Sequence, residues 1–269
     1  MSVAYSLLLL AAQVATPTAA ATGLPLTGAQ AEEFLNRAEV VDLEFFDNTA
    51  GTKPRRATLS DGERTHWAIF KDVDSFDEAG NPTAGRSLHK LHDAYSHEIA
   101  AYELDKLLGL GIVPPCVARE VGGTLGSLCL WVVGGQTEKQ LMKQNMLNPP
   151  DEQLFRDQLD DIRLFLQLAR DAEYRSDSNI LIDGQWKLYK IDSSRSFGAR
   201  SRLLAPGSLT RFRRSTVSAL RPLSEEQLRA AMAPWLDADE IDALVKRWKK
   251  LVDLIQDRIE EQGEASVLY

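Results

Sequence analysis

The chain has 269 residues, 44% of them apolar, with 31 Lys and Arg against 39 Asp and Glu and a formal net charge of −8. That is enough to bury a sizeable core in one large domain or two lobes, and the acidic balance argues against a surface-wide nucleic-acid binder while leaving room for a local basic patch. No stretch is long enough for a convincing membrane span.

Met1 to about Gly23 carries no charged side chain. Leu7–Ala12 is a short apolar run, and Ala19–Ala21 offers the small residues a signal peptidase needs, although no Lys or Arg precedes the run. An export signal, an Ala/Thr tail and a misplaced start all fit, so cytoplasmic and exported or periplasmic locations both stay open.

From Glu32 a helical start leads to a strand at Val40–Glu44. A turn-rich loop follows from Asn48 to Pro54, then strands at Arg56–Leu59 and Thr65–Lys71 joined by Ser60-Asp61-Gly62. A loop glycine beside hydroxyls, as in Thr49, Gly51 and Thr52, lets backbone N–H groups approach phosphate oxygens, although most such loops are plain turns. Period-two alternation puts Ile69 on the same face as Lys71, an apolar cover for a base beside an ammonium that reaches phosphate. After a polar insertion from Asp72 to Leu91, a helix is expected from Asp93, read as its N-cap, to Leu108. Glu98 lies in its first half, where it can meet Lys71. His89, His92 and His97 read as solvated residues on an exposed helix approach, because no Cys or fourth ligand stands at a supporting spacing.

Cys116–Val121 and Thr124–Val133 read as a hairpin turning at Gly122-Gly123. Symmetry about that turn sets Cys116 opposite Cys129, and two buried thiols are preferred slightly to a cross-strand disulfide. Gly134-Gly135 then marks a hinge into a helical remainder, with helices at Lys139–Met146 and Glu152–Ala169 and an apolar face through Leu154, Phe155, Leu159 and Ile162. Asn179–Ile182 and Trp186–Ile191 form a second hairpin about Asp183-Gly184, which carries Asn179 and Asp192 to one end. Two oxygen side chains there suit a hard cation such as Mg²⁺. The arginines beyond, Arg195, Arg200, Arg202, Arg211, Arg213 and Arg214, either hold an anionic acceptor or form a solvated basic loop. Ser224 with Gln227 and Asp237 with Glu240 are capping boxes opening two final helices.

Together these stretches resemble the bacterial branch of the phosphatidylinositol 3-/4-kinase-like atypical kinases, relatives of Fam20-type and HipA-type kinases. The resemblance runs from about Glu32 to Tyr269. It rests on AIFK ending at Lys71, HEIAAYELDKLLGLGIVPP from His97, GSLCLWV from Gly126 and SNILIDGQWKLYKIDSSRSF from Ser178. It implies an α+β, two-lobed protein-kinase-like fold, with a strand-rich N-lobe holding one long helix at 32–135 and a helical C-lobe at 136–269. ATP and Mg²⁺ or Mn²⁺ would be the cofactors. Lys71 would orient the α and β phosphates, Glu98 would pair with it, and Asn179 and Asp192 would hold the metal. Thr49–Thr52 would cover the phosphates, and Val132–Gly135, with Val132 and Val133 foremost, would contact adenine.

The family's catalytic Asp stands five positions before the metal-binding Asn, and here that position is Tyr174. Asp171, Glu173 and Asp177 are the nearby carboxylates available as substitutes. Two readings follow: a phosphotransferase of unknown acceptor with an altered loop, or a pseudokinase that keeps the fold as a binding module. A third, purely structural reading makes Lys71 and Glu98 a surface pair.

Overall fold

The computed structural model describes residues 26–45, 53–77, 91–171 and 177–269. The segment read as a possible export signal lies outside them.

Helix α1 (Gly28–Arg37) begins earlier than the sequence indicated and runs into β1 (Glu39–Phe45). Strands β2 (Arg55–Ser60), β3 (Thr65–Lys71), β6 (Cys116–Val121) and β7 (Thr124–Leu130) complete a five-stranded antiparallel sheet in the order β1-β2-β3-β7-β6. Alternation gives the sheet two apolar faces. Ala57, Leu59, Ala68, Phe70, Val117 and Leu128 join Phe34 and Leu35 of α1 in one core. Helix α2 (Tyr95–Leu108) contributes Ile99, Leu104 and Leu108 to the second, larger core, which Cys116 also enters.

The polar insertion contains a two-stranded ribbon, β4 (Asp74–Asp77) and β5 (Leu91–Ala94), directly before α2. This corrects the expected N-cap. Ala94 occupies that position, and the Asp93 carboxylate instead accepts from Arg195 Nε over 2.8 Å. The Cys expectation is also corrected: Cys116 and Cys129 are register partners and are joined in a disulfide.

Strand β7 stops at Leu130, and Trp131 N–H turns back to the Trp67 carbonyl at 3.0 Å. Gly134 takes a positive φ of 70°, which a glycine adopts without strain. The chain then enters β8 (Gln136–Thr137), which pairs with β9 (Ile180–Ile182), and β9 pairs with β10 (Leu188–Lys190). Helices α3 (Glu138–Lys143), α4 (Glu152–Ala169), α5 (Arg214–Leu220), α6 (Glu225–Met232), α7 (Ala238–Gln262) and α8 (Glu264–Val267) build the rest. Both expected capping boxes are present. On α4, Phe155 and Ile162 are buried as expected and Phe165 is buried with them, while Leu154 is exposed.

The segment after Asp192 is pinned from below by Arg247 of α7, a fully buried side chain. Its guanidinium donates to the carbonyls of Leu168, Gly198 and Arg200 at 2.7, 3.1 and 2.7 Å. The antiparallel-sheet N-lobe and helical C-lobe agree with the expected fold class, and among the described residues no helix is long and apolar enough to cross a membrane.

Candidate functional site

Ala68 and Phe70 of β3 point into the core beneath α1, so Ile69 and Lys71 face the opposite side of the sheet. There Lys71 meets two carboxylates. Its Nζ donates to Glu98 Oε1 and to Asp192 Oδ1, each over 2.5 Å. The second oxygen of Glu98 accepts the Ser193 N–H over 3.0 Å. The side chains of Lys71 and Glu98 are 9% and 8% exposed, and that of Asp192 is 43% exposed. A dry ion pair therefore carries one carboxylate at its open rim.

Burial alone would lower the Lys71 pKa, but the charges of Glu98 and Asp192 outweigh it and raise the group above its ordinary value. Burial pushes Asp192 up, and Lys71 beside it wins, holding its carboxyl below the usual range. Both are charged at neutral pH, and because Lys71 and Glu98 are buried the surface-pair reading does not hold.

Asn179 ends a short 3₁₀ turn, Asp177–Asn179, that leads into β9. Its carbonyl accepts the Ile191 N–H over 3.0 Å, which places Asn179 and Asp192 at the same end of the hairpin, as the alternation implied. The Asn179 side chain is buried, and Ser178 Oγ donates to its Oδ1 at 3.2 Å. The turn differs from the expected Asp183-Gly184 pair. Asp183 Oδ1 accepts from the N–H groups of Gln185 and Lys187, and the loop widens to run from Asp183 to Lys187.

Asp192 sits at φ 58°, in the left-handed region, which costs a residue with a Cβ about 1–2 kcal/mol. What holds it there comes from a residue that the pattern did not single out. Lys190, 2% exposed, donates through Nζ to the carbonyls of Ile191 and Asp192 at 2.5 and 3.1 Å. Its own counter-charge is Asp171 at 2.7 Å. Asp171, a sequence candidate for the catalytic carboxylate, is thus buried against Lys190 and supports the Asp192 backbone. A buried Lys two residues before Asp192, in step with buried Leu188, was the available signal.

Thr49, Gly51, Thr52, Glu173 and Tyr174 lie outside the described residues. Asp177 opens the 3₁₀ turn, two residues before Asn179. Val132 and Val133 line a cavity of about 820 Å³ with Gly109, Pro114, Pro115 and Tyr189, and that cavity reaches none of Lys71, Glu98, Asn179 or Asp192.

Most of the basic segment is paired. Arg195 meets Asp93, Arg211 meets Asp157 at 3.2 Å, Arg213 meets Asp161 at 2.7 Å and Arg214 meets Glu264. Arg200 and Arg202 have no carboxylate partner among the described residues.

The expectation of solvated histidines is overturned at His92 and His97, while His89 lies outside the described residues. His97 is fully buried and His92 partly so, and both face Glu240 of α7 at 3.1 Å. The hydrogen bond to Glu240 outweighs burial and, with Asp74, raises His92 to about 9. Glu240 stands 148 positions from His92, beyond the reach of any spacing argument.

Neither a family model nor a curated relative matches the chain by sequence. Solved structures do match by fold. A hydra Fam20 structure with sugar has 16% identity and a TM-score of 0.61, covering 89% of this chain and 91% of that one. A Golgi casein kinase has 15% identity and a TM-score of 0.56, over 89% and 78% of the respective chains. The Helicobacter pylori proinflammatory kinase CtkA has 10% identity and a TM-score of 0.50, over 85% and 98%. The chain therefore shares the two-lobed fold of these kinase structures.

Proposed function

We propose that the chain is an ATP-dependent phosphotransferase of the phosphatidylinositol 3-/4-kinase-like type, acting on an acceptor hydroxyl. The observation that carries this reading is Lys71 held between buried Glu98 and half-exposed Asp192. In this reading Lys71 exchanges its bond to Asp192 for phosphate oxygens when nucleotide enters, while Glu98 keeps the ammonium aimed.

The donors fit a hard divalent ion. Asp192 presents an ionised, accessible carboxylate and Asn179 an amide oxygen, and Mg²⁺ takes few protein oxygens besides phosphate and water. Asn179 and Asp192 would hold Mg²⁺ or Mn²⁺, which when bound neutralises charge on the phosphates. Ile69 and the Val132–Val133 edge would contact the base, and Thr49–Thr52 would cover the phosphates. Division into lobes at 32–135 and 136–269 would put the nucleotide between them.

For the carboxylate that orients the accepting hydroxyl, Glu173 and Asp177 are the proposed substitutes, since Asp171 is engaged by Lys190. Arg200 and Arg202 are the proposed contacts for an anionic acceptor. A pseudokinase is the second reading, favoured by Tyr174 at the position of the catalytic Asp.

Isothermal titration of ATP with Mg²⁺ into wild type, Lys71→Met and Asp192→Ala tests the nucleotide site. Saturable, Mg²⁺-dependent binding that falls at least about tenfold in each variant is expected. Equal binding by all three would refute the site.

A further inference from the structure

His92, His97 and Glu240 come from three separate places: strand β5, the first turn of α2 and the first turn of α7. One ligand atom from each lies within 4.8 Å of the others. Each group already has a bond that orients it. His97 Nδ1 lies 2.9 Å from the Ser194 carbonyl, which can only accept, so Nδ1 carries a proton and Nε2 points at Glu240. His92 Nε2 lies 2.9 Å from Asp74 Oδ1, leaving Nδ1 to face Glu240 Oε1. Glu240 Oε2 accepts the Asp237 N–H over 3.1 Å in the capping box, which reserves Oε1 for the two imidazoles.

An imidazolium at His92 neutralises Glu240 but leaves His97 unserved. His97 Nε2 is buried, has no hydrogen-bond partner, and stands 3.1 Å from a carboxylate oxygen outside bonding geometry. A buried nitrogen in that position is costly unless a proton or a metal ion meets its lone pair.

From this we propose that His92 Nδ1, His97 Nε2 and Glu240 Oε1 form a binding site for a borderline transition-metal ion of the Zn²⁺ class. Two imidazoles and a carboxylate are a known three-ligand set for that ion, with the fourth position left to water. Tetrahedral bonds of about 2.0–2.1 Å set donor atoms about 3.4 Å apart, close to the two 3.1 Å separations already present. Asp74 and the Ser194 carbonyl supply the outer hydrogen bonds that fix imidazole ligands.

The location gives the ion a consequence. His97 directly precedes Glu98, Ser194 follows Asp192 by two residues, and Glu240 belongs to the last long helix of the C-lobe. A bound ion would clamp α2 and the segment after Asp192 onto α7, beside but separate from the Lys71 centre. The proposal stands whether or not the chain binds nucleotide.

The test uses the full chain without a purification tag, stripped by chelator and titrated with Zn²⁺ by calorimetry and with Co²⁺ by its visible absorption. One ion per chain is expected, with the intense bands of tetrahedral Co²⁺ and a raised melting temperature. His92→Ala, at the rim, and Glu240→Gln should each bind at least about 100-fold more weakly, and Asp74→Ala about tenfold. His66→Ala and Asp192→Asn should bind as wild type. Absence of stoichiometric binding, retention of full affinity in His92→Ala, or loss of it in Asp192→Asn would each overturn the site.

Discussion

The backbone N–H of Ser193 donates to Glu98 Oε2 over 3.0 Å, while the other oxygen of Glu98 holds Lys71. One carboxylate thus fixes both the α2 helix and the residue after Asp192 to the end of β3. Its removal should be felt in the fold as well as in the cleft. Glu98→Ala leaves the buried Lys71 ammonium with Asp192 alone and the Ser193 N–H without its acceptor, and should cost about 2–3 kcal/mol in denaturant unfolding, with Glu98→Gln costing about 1–2 kcal/mol. A change under about 0.5 kcal/mol for Glu98→Ala would show that the pair is not buried in solution.

Asp171 and Lys190 separate a supporting role from a chemical one. Each is 2% exposed at the side chain, so Asp171→Asn should destabilise by about 3–5 kcal/mol by leaving Lys190 uncompensated. The double variant Asp171→Leu with Lys190→Met should recover most of that loss, as apolar replacement of a buried pair often does. If Asp171→Asn unfolds like wild type but loses turnover, Asp171 is the catalytic carboxylate and the supporting role is wrong.

The buried carboxyl of Asp105 accepts the N–H groups of Ile112 and Val113 at 3.2 Å each, closing the turn after α2. Burial, opposed by those bonds, pushes its pKa from 3.8 to about 6. The folded state therefore holds this proton more tightly than the unfolded chain. Its contribution to stability is full below about pH 4 and is lost as pH rises through about 6. Urea unfolding at pH 4, 5, 6 and 7 should show wild type losing about 3 kcal/mol relative to Asp105→Asn across that window, with no further change above it. A pH-independent difference would contradict the shift.

Gly126 lets β7 approach the end of β3. A Cβ there would lie 2.3 Å from the Lys71 carbonyl and 2.7 Å from the Phe70 ring. Because the nearest atom is backbone, relief requires the strands to part. Gly126→Ala should lose about 1–3 kcal/mol of stability and weaken nucleotide binding through displaced Lys71, read by unfolding and calorimetry. Unchanged stability would mean that the sheet is looser there than its register indicates.

Local pattern carried the fold far. Alternation delimited β3 from Thr65 to Lys71, the glycine pair set Cys116 opposite Cys129, and capping chemistry located the starts of α6 and α7. The Lys71–Glu98 pair was legible because a clear strand period ends at Lys71 and Glu98 lies in the first half of a clear helix, whereas the Lys71–Asp192 bond was not expected. What stayed hidden depends on partners distant in sequence or on competing local bonds. Asp93 resembles an N-cap until the β4–β5 ribbon moves the helix start and Arg195 claims its carboxylate. The histidines look solvated until α7 folds over them with Glu240. Asp183-Gly184 looks like a two-residue turn, but the Asp183 side chain collects two N–H groups and widens it.

The central claim is that Lys71, Glu98, Asn179 and Asp192 form a working phosphotransfer centre. Its most direct test incubates the chain with γ-labelled ATP and Mg²⁺ or Mn²⁺, following ADP release and label transferred to protein, beside Asp192→Ala. The account predicts metal-dependent ADP release that falls at least about 100-fold in Asp192→Ala. Nucleotide-dependent stabilisation without any ADP release would contradict it in favour of a pseudokinase, and release unaffected by Asp192→Ala would place the chemistry elsewhere.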